Sequence, residues 1–479
     1  MKSIREINGI KSLIRGVEGL LELCILAVLY YVTWRYGYGA ELLHPFLGRG
    51  KYVLLGIYAM IMMLVFFAFD GFKFGYLRLS NVIVSQWIAM FATNFITYLQ
   101  LSLIANVMIS PVPMLILMVL DAVVAFCCCY VYSVIYHRLY VPKRMVMVLG
   151  NENALLLKLK MDLRSDKYRI KKLLFEDAGY DAIISQIPDY DAVVLSDVKA
   201  QLRNDILKFC YENQIRTYVA PKITDIIVRG AQSINLFDTP LLLVKGTGLT
   251  PMQMFWKRVI DIVLSSVAIV VAAPVMLLTA AAIKLEDGGP VFYTQRRATL
   301  GGKEFDILKF RSMVVDAEKD GRARPASDHD PRITKVGRLI RAARIDELPQ
   351  ILNILKGDMS IVGPRPERME HILQYSEKIP EFAYRMKVKG GLTGYAQIYG
   401  KYNTTAYDKL RLDLMYIENY SIALDFKLIL MTLRILLDKN STQGFDTAEK
   451  LEKMKQDVLR EMQAEEDSSN LVGAGNASR

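Results

Sequence analysis

The feature that most constrains this chain of 479 residues is a series of long apolar runs in its first 140 positions. A helix needs about 20 apolar residues to cross the hydrocarbon core of a bilayer. Four runs are of roughly that length or longer, at residues 17–34, 52–69, 82–109 and 112–136. The sequence therefore predicts a membrane protein whose residues 1–140 form a four-helix transmembrane region.

Basic residues near these runs predict their orientation, because lysine and arginine collect on the cytoplasmic side of membrane helices. They precede the first run, separate the second from the third and follow the fourth: Lys2, Arg5, Lys11, Arg15, Lys73, Arg78, Arg138, Lys143 and Arg144. Both ends of the region are therefore expected in the cytoplasm, although the first loop also carries Arg35, Arg49 and Lys51. Asp121, inside the fourth run, either is functional or faces a neighbouring helix.

Residues 141–246 alternate between short apolar stretches and helix-like stretches. "RMVMVLG" has the pattern of a buried strand, and strand patterns recur in "KKLLF", "DAVVLS" and "RTYVAP". Strands that alternate with helices predict a parallel, doubly wound sheet. We therefore expect a small Rossmann-like α/β domain here.

A dinucleotide-binding loop would require G-x-G-x-x-G directly after the first strand. Here the segment is "GNENAL", which places Glu152 and Leu155 at the second and third glycine positions. A carboxylate at that place would repel a pyrophosphate, so we expect no NAD binding. The domain is then expected to serve regulation or the formation of a homo-oligomer.

A fifth apolar run, residues 262–283, has Pro274 near its middle and basic residues on both flanks. Basic flanks favour the cytoplasm for both ends, and a proline removes a helix hydrogen bond and bends the chain. We therefore predict a re-entrant helix over about 257–284 that breaks at Pro274 and dips into one leaflet. A kinked ordinary span is the alternative.

The segment "ARIDELPQ" places Asp346 and Glu347 just ahead of Pro349, which predicts a helix start. Acidic residues are common in a first turn because they favour the helix dipole. Basic residues are dense around this pair: Lys309, Arg311, Arg338, Arg341, Arg344 and Arg365. Such cations at a helix N-terminus suit a phosphate-rich substrate. A carboxylate among them stays ionised and can act as a nucleophile or metal ligand.

The whole chain carries 60 basic and 49 acidic residues, a net charge of +11. This balance suits nucleic acid, anionic lipid or phosphorylated substrates as partners. Nucleic acid is the weakest of these interpretations, because no motif that reads RNA or DNA is present.

Four stretches occur in order between residues 252 and 440: "QRRATLGGKEFDILKFRSM", "DPRITKVGRLIRAARIDELPQILNILKGDMSIVGPRPE", "GLTGYAQIYGK" and "KLRLDLMYIENYSIALDFKLI". They resemble the bacterial sugar transferase family, the polyprenyl-phosphate glycosyl-1-phosphate transferases. The order of four spans, an α/β domain and a catalytic domain resembles the large-membered branch of that family.

The resemblance implies a mainly α-helical catalytic domain over 252–440, facing the cytoplasm from the bacterial inner membrane. It implies a magnesium-dependent transfer of a sugar-1-phosphate from a UDP-sugar to undecaprenyl phosphate, with release of UMP. This step starts exopolysaccharide, capsule or O-antigen assembly. The family's nucleophile falls on Asp346, which also matches a metal contact, and its partner on Glu347. Further matches are the phosphate-binding Lys309, Arg311, Arg341 and Arg365, and Asp413 as a substrate or metal contact.

Two positions depart from the family's pattern: Ala273 precedes Pro274 where the family has serine, and Gly390 replaces a proline in "GGLTG". Two alternative functions also remain open. One is an inactive membrane sensor of nucleotide sugars, which the intact Asp346–Glu347 pair disfavours. The other is a membrane nucleotide-sugar dehydratase, which would need a working dinucleotide loop. Residues 445–479 predict a polar, partly disordered tail.

Overall fold

The structure, a computed structural model, describes residues 4–39, 49–75, 79–139, 141–151, 154–315, 317, 330–400 and 404–437, with short pieces at 452–453, 456–458 and 460. Lys2, Arg78, Glu152 and most of the predicted tail lie outside the described residues. The predictions that depend on them therefore have no structural counterpart.

The N-terminal region contains four long helices, the first of which continues into a π-helical turn at Trp34–Tyr38. They are α1 (Ile4–Thr33), α2 (Gly50–Ala68), α3 (Leu79–Ala105) and α4 (Val112–Leu139). In the described part of the chain, four helices are long and apolar enough to cross a membrane: α2, α3, Val112–Tyr136 of α4, and the later helix Pro251–Asp287. The chain is therefore a membrane protein. Helix α1 holds the first predicted run but is not one of these four, and it carries Glu18 and Glu22 among its apolar residues.

Polar side chains pair inside the N-terminal bundle. The Gln86 amide donates to Glu22 Oε2 at 2.9 Å, and the Asn94 amide donates to Asp121 Oδ2 at 2.8 Å. Tyr58 donates to Asn94 Oδ1 at 3.0 Å. Asp121 therefore faces a neighbouring helix, which is one of the two alternatives that the sequence left open.

A four-stranded parallel sheet follows the bundle, with strand order β2-β1-β3-β4. Its strands are β1 (Lys143–Leu149), β2 (Tyr168–Phe175), β3 (Ala192–Ser196) and β4 (Arg216–Val219). Its helices are α5 (Leu155–Asp162), α6 (Tyr180–Gln186), α7 (Ala200–Glu212) and α8 (Ile223–Arg229), with 3₁₀ turns at Glu176–Ala178 and Ile187–Asp189. The predicted parallel sheet is confirmed, since its four strands coincide with the four strand patterns. An antiparallel hairpin of β5 (Gln232–Leu236) and β6 (Thr239–Leu243) was not predicted.

Residues 251–437, here called the C-terminal unit, are mainly helical. The helices are α9 (Pro251–Asp287), α10 (Lys335–Ala342), α11 (Gln350–Lys356), α12 (Met369–Lys378), α13 (Tyr395–Tyr399), α14 (Ala406–Glu418) and α15 (Ile422–Leu437). The strands are the antiparallel pair β7 (Phe292–Ala298) and β8 (Glu304–Phe310) and the parallel pair β9 (Ser360–Val362) and β10 (Gly391–Thr393). One-turn or two-turn 3₁₀ helices lie at Leu300–Gly302, Ile345–Glu347 and Pro380–Lys387.

Helix α9 stays helical through Pro274, so the structure does not confirm the expected division into two helices at that residue. A proline removes one backbone hydrogen bond, and the flanking turns hold the helix on both sides of it. The helix begins at a capping box of Thr250 and Gln253 and ends at Gly288, which has left-handed backbone angles. Its middle exposes apolar side chains, among them Val270 and Val271.

Both ends of α9 are attached to the C-terminal unit. Near its start, Lys257 pairs with Asp425 of α15 at 2.6 Å, and Arg258 donates to the Ile354 and Leu355 carbonyls at the end of α11. At its other end, Asp287 pairs with Arg311 after β8. The apolar middle of α9 therefore projects from a folded unit that holds both of its ends.

Helix α15 also links the C-terminal unit to the bundle. Lys427 donates to Asp70 Oδ1 at 2.6 Å, and Asp70 follows the end of α2. The carboxylate of Asp70 is almost fully buried at this contact. The loop between α2 and α3 and the C-terminal unit therefore lie on the same side of the bundle.

Candidate active site

The carboxylates of Asp346 and Glu347 lie in a 3₁₀ turn between α10 and α11. Arg344 precedes the turn with left-handed backbone angles, φ 54° and ψ 22°, so the chain reverses sharply just before the pair. Helix α11 starts only at Gln350 and has 7 residues. The predicted helix start is therefore confirmed, but the helix is too short for its dipole to be the main feature of the site.

Of the two carboxylates, Glu347 is the one that pairs with nearby basic residues. Arg365 Nη2 donates to Glu347 Oε1 at 2.6 Å, and Lys309 Nζ lies 3.6 Å from the same oxygen. Burial alone would raise the pKa of Glu347, but the charges of Arg365 and Lys309 outweigh burial and lower that pKa to about 2. Glu347 is therefore ionised at any physiological pH.

Asp346 is in a different electrostatic position. Burial, and then repulsion from Glu347, raises the pKa of Asp346, while Lys309 and Arg341 act in the opposite direction. Within the described chain Asp346 forms no ion pair, whereas its neighbour Glu347 has two. The sequence predicts that Asp346 stays ionised among these cations; Lys309 and Arg341 do lower its pKa, but burial and the charge of Glu347 act against them. Among the described residues, no cation pairs with the carboxylate of Asp346.

Arg341 and Arg311 differ from the prediction in separate ways. Arg341, at the end of α10, is exposed and acts on Asp346 through space without an ion pair. Arg311 is buried, and its guanidinium binds the Asp287 carboxylate and the Pro290 carbonyl. Arg311 therefore closes the turn between α9 and β7. The structure does not support its predicted contact with phosphate, because its donors are already engaged.

Asp413 lies behind the pair rather than in it. Its buried carboxylate accepts from Arg385 at 2.8 and 3.0 Å. Burial raises the pKa of Asp413 in spite of the Arg385 charge. Arg385 in turn donates to the Arg365 backbone carbonyl at 3.0 Å. Asp413 thus contacts Glu347 indirectly, through two arginines, and the predicted substrate or metal contact has no support in this geometry.

Four further charged residues belong to this network and were missed in the sequence: Arg297, Glu367, Arg385 and Lys409. Glu367 pairs with Lys409 and lies 3.6 Å from both Arg297 Nη1 and Arg385 Nη1. The proline-flanked "RPE" segment was the one available signal, because it places Glu367 two residues from Arg365. Arg297, Arg385 and Lys409 come from distant segments, and their spacing in the sequence does not predict these contacts.

The described residues contain no cluster of three or more His, Cys, Asp or Glu side chains that could hold a metal ion. Mg²⁺, however, is commonly held by one or two carboxylates together with substrate phosphates. The donor set at this site fits that arrangement, since Asp346 offers a carboxylate that has no cation partner among the described residues. Lys309 and Arg365 lie near it, and side chains of these two types can donate to phosphate oxygens.

Membrane-length helices and a carboxylate pair bordered by phosphate-type donors define a membrane protein that handles an anionic substrate. The sequence profile of the bacterial sugar transferase family matches residues 252–439. Relatives extend the similarity beyond that segment. The UDP-N-acetylgalactosamine-undecaprenyl-phosphate N-acetylgalactosaminephosphotransferase of Aeromonas hydrophila is 36% identical over 319 residues, 66% of this chain and 72% of the relative.

Two relatives carry the name UDP-glucose:undecaprenyl-phosphate glucose-1-phosphate transferase. The one from Caulobacter vibrioides is 45% identical over 186 residues, 38% of this chain and 69% of the relative. The one from Klebsiella pneumoniae is 36% identical over 247 residues, 50% of this chain and 51% of the relative. The chain belongs to the bacterial sugar transferase family.

Proposed function

We propose that this chain transfers a sugar-1-phosphate from a UDP-sugar to undecaprenyl phosphate and releases UMP, as the first step of a surface polysaccharide pathway. The names of the relatives support the two substrates. The observation that carries the proposal is the division of charge at the site. Glu347 is neutralised by Arg365 and Lys309, while the adjacent Asp346 forms no ion pair with any residue that the structure describes.

In the first half-reaction, the ionised Asp346 carboxylate attacks the phosphorus that bears the sugar. A bond forms between the carboxylate oxygen and phosphorus, and the bond from phosphorus to the bridging oxygen breaks. UMP leaves with the electron pair. A desolvated carboxylate is a competent nucleophile toward a charge-neutralised diphosphate.

In the second half-reaction, an oxygen of undecaprenyl phosphate attacks the same phosphorus. The bond to Asp346 breaks and the carboxylate is restored. Glu347 is a poor base because its pKa lies near 2, so its role is positional. It holds Arg365 and Lys309 where they can donate to the phosphate oxygens of either substrate.

We propose that Mg²⁺ binds with the diphosphate and that Asp346 supplies its protein ligand. When bound, the ion neutralises phosphate charge and favours departure of UMP. Burial, and then the charge of Arg365, lowers the pKa of Lys309. Lys309 still donates hydrogen bonds to phosphate, and Arg341 adds positive charge at the open side of the site.

The membrane arrangement is part of the proposal. We place the chain in the bacterial inner membrane with the C-terminal unit in the cytoplasm, and α9 in one leaflet with both ends on the cytoplasmic side. Attachment of both α9 ends to one folded unit supports this, because a full crossing would separate them. Labelling of engineered cysteines tests it: a residue near 290 that reacts from outside the cell would require a crossing helix.

The decisive test of function is UMP release by the purified full-length protein, given a panel of UDP-sugars without lipid acceptor. A stoichiometric burst is expected, with labelled phosphosugar retained on the wild-type protein and absent from Asp346→Asn. Rapid turnover with undecaprenyl phosphate but no label at any time would contradict the covalent step. Formation of a homo-oligomer stays a prediction. Mass photometry of the solubilised protein tests it by measuring the mass of the assembly.

A further inference from the structure

Helix α14 lies between the α/β domain and the charged network behind the catalytic pair. Lys409 and Asp413, four residues apart, share one face of the helix. This face contacts Glu367 and Arg385. Through Arg385, whose guanidinium donates to the Arg365 carbonyl, it is connected to the Arg365–Glu347 ion pair.

A second face of α14 contacts the α/β domain. Asp408 and Arg411, three residues apart, form this face. Lys160 of α5 donates to Asp408 Oδ2 at 2.5 Å. Arg411 Nη2 donates to Asp197 Oδ1 at 3.1 Å, directly after β3. Apolar packing holds the same contact, since Ile223 and Ile226 of α8 share a core with α14 residues Leu410, Leu414 and Ile417.

Asp197 occupies a particular place in the parallel sheet. The strand order β2-β1-β3-β4 reverses direction between β1 and β3, and ligands of such sheets bind at the carboxyl ends of the strands at that point. The loop after β3 fills the place beside Gly150, where a Cβ would lie 2.1 Å from the Asp197 carbonyl oxygen. Close packing of two strand ends therefore accounts for the glycine after β1, without a pyrophosphate.

Arg411 is well enclosed at this edge. Its side chain is 14% exposed, it lies 4.1 Å over the Tyr407 ring, and it donates to Asp408 at 3.2 Å as well as to Asp197. The Asp197–Arg411 pair is partly buried, and loss of Asp197 leaves the Arg411 guanidinium with Asp408 alone. Asp197 therefore contributes to the contact of α14 with the α/β domain, together with Lys160 and the apolar packing.

We infer that Asp197 and Arg411 are positioning residues of the transferase reaction. They hold α14 against the edge of the sheet. Helix α14 in turn positions Arg385, which binds the Arg365 backbone carbonyl. This contact orients the Arg365 guanidinium toward Glu347. The α/β domain thereby supports the catalytic pair through the edge at which related sheets hold ligands. The inference rests on the proposed function for its kinetic readout alone.

The test uses the full-length protein in nanodiscs. Asp197→Asn keeps the shape of the side chain, and asparagine tolerates the local φ of 56°. Arg411→Gln removes the other charge. Asp162→Asn is the matched control, because it breaks the Lys158–Asp162 pair inside the same domain without touching α14.

Each of Asp197→Asn and Arg411→Gln is expected to lower kcat about three- to tenfold, with KM for the UDP-sugar changed by no more than about twofold. The double variant should be no slower than the slower single one, since both changes break one connection. The control should match wild type. Independent, multiplying losses in the double variant would overturn the inference.

A second readout does not require turnover. Hydrogen–deuterium exchange in the peptide covering residues 360–372 should rise in Asp197→Asn and stay at the wild-type level in Asp162→Asn. One outcome is that exchange responds in this way while wild type releases no UMP from any UDP-sugar. In that case the proposed function is wrong, and the connection from Asp197 through α14 to Arg365 is supported. If wild type turns over and Asp197→Asn changes neither kcat nor exchange, the coupling has failed.

Discussion

In the C-terminal unit the buried carboxylate of Glu347 faces two cations, whereas in the membrane bundle Glu22 and Asp121 face the side-chain amides of Gln86 and Asn94. A cation compensates a full negative charge and can also donate to a substrate phosphate. An amide satisfies hydrogen bonds between helices and fixes their register. The two regions bury similar groups, and their partners differ in kind: those of Glu347 are side chains that can donate to phosphate, and those of Glu22 and Asp121 connect membrane helices.

The sharpest test of this comparison is Asp346→Asn, which removes the free carboxylate and keeps its shape. Turnover should fall by about a thousandfold or more, because the group that forms the covalent bond is lost. UDP-sugar affinity should fall far less than turnover, and calorimetry measures this affinity beside UMP release. Residual turnover above a tenth of wild type would assign the nucleophile elsewhere.

Glu347→Gln should have the second-largest effect, a loss of about a hundredfold in turnover. Arg365 and Lys309 lose the carboxylate that orients them toward the substrate phosphates. The single-turnover UMP burst should persist, since Asp346 is intact. Comparing burst amplitude with steady-state rate separates the two half-reactions. A variant that loses burst and turnover in equal measure would make Glu347 part of the first chemical step.

Asp413→Asn should cost about tenfold in kcat, because Arg385 loses its buried carboxylate and holds the Arg365 carbonyl less firmly. Thermal unfolding of the variant separates this effect from misfolding. The sequence suggested a substrate or metal contact at Asp413 instead. In that case the magnesium concentration needed for half-maximal rate would rise while saturated kcat stayed near wild type.

The pH dependence of the burst distinguishes the two catalytic carboxylates. In the proposed mechanism the ionised form of Asp346 is the reactive one, and burial and then Glu347 raise its pKa. The burst should therefore fail on the acid side as Asp346 takes up a proton, at a pH where Glu347 is still charged. Glu347→Gln removes the charge that repels the Asp346 carboxylate, while Lys309 and Arg341 still favour its ionised form, so this acid limb should move to lower pH. If the acid limb stays at the same pH in Glu347→Gln, the group that titrates there is not Asp346.

The smallest effect is expected for Asp121→Asn in the bundle. Asparagine still offers an oxygen to the Asn94 amide, so turnover should remain within about twofold of wild type. This variant is also the control for Asp346→Asn, since both exchange a half-buried or buried carboxylate for an amide. If Asp121→Asn loses turnover while its thermal unfolding matches that of wild type, Asp121 takes part in function.

The sequence predicted the parts of the fold that rest on local pattern. Apolar length identified α2, α3 and α4, and four short apolar stretches marked the strands of the parallel sheet. The path of α9 was harder to predict, because Pro274 indicates a bend from sequence but flanking turns keep the helix continuous. The β5–β6 hairpin carried no recognised turn signal.

At the site, the Asp346–Glu347 pair and its nearness to Lys309 and Arg365 followed from the motifs. The partner of each charge did not. Arg311 and Lys309 are two residues apart in one segment, yet one binds Asp287 and the other approaches Glu347. The strand β8 ends between them, and the chain turns away from the pair. Pairing of this kind is decided by tertiary packing, which the spacing of residues does not record.

The attachment of α9 at both ends has a consequence for substrate supply. In the proposed arrangement the apolar middle of α9 lies in the lipid, and the helix would then keep Asp346 and Glu347 at a fixed height above the bilayer surface. A ligand that is itself confined to the bilayer then arrives by lateral diffusion. Its encounter rate depends on the number of molecules per unit of membrane area rather than on concentration in the cytoplasm. Diluting the membrane with additional lipid should slow the second half-reaction and leave the first unchanged.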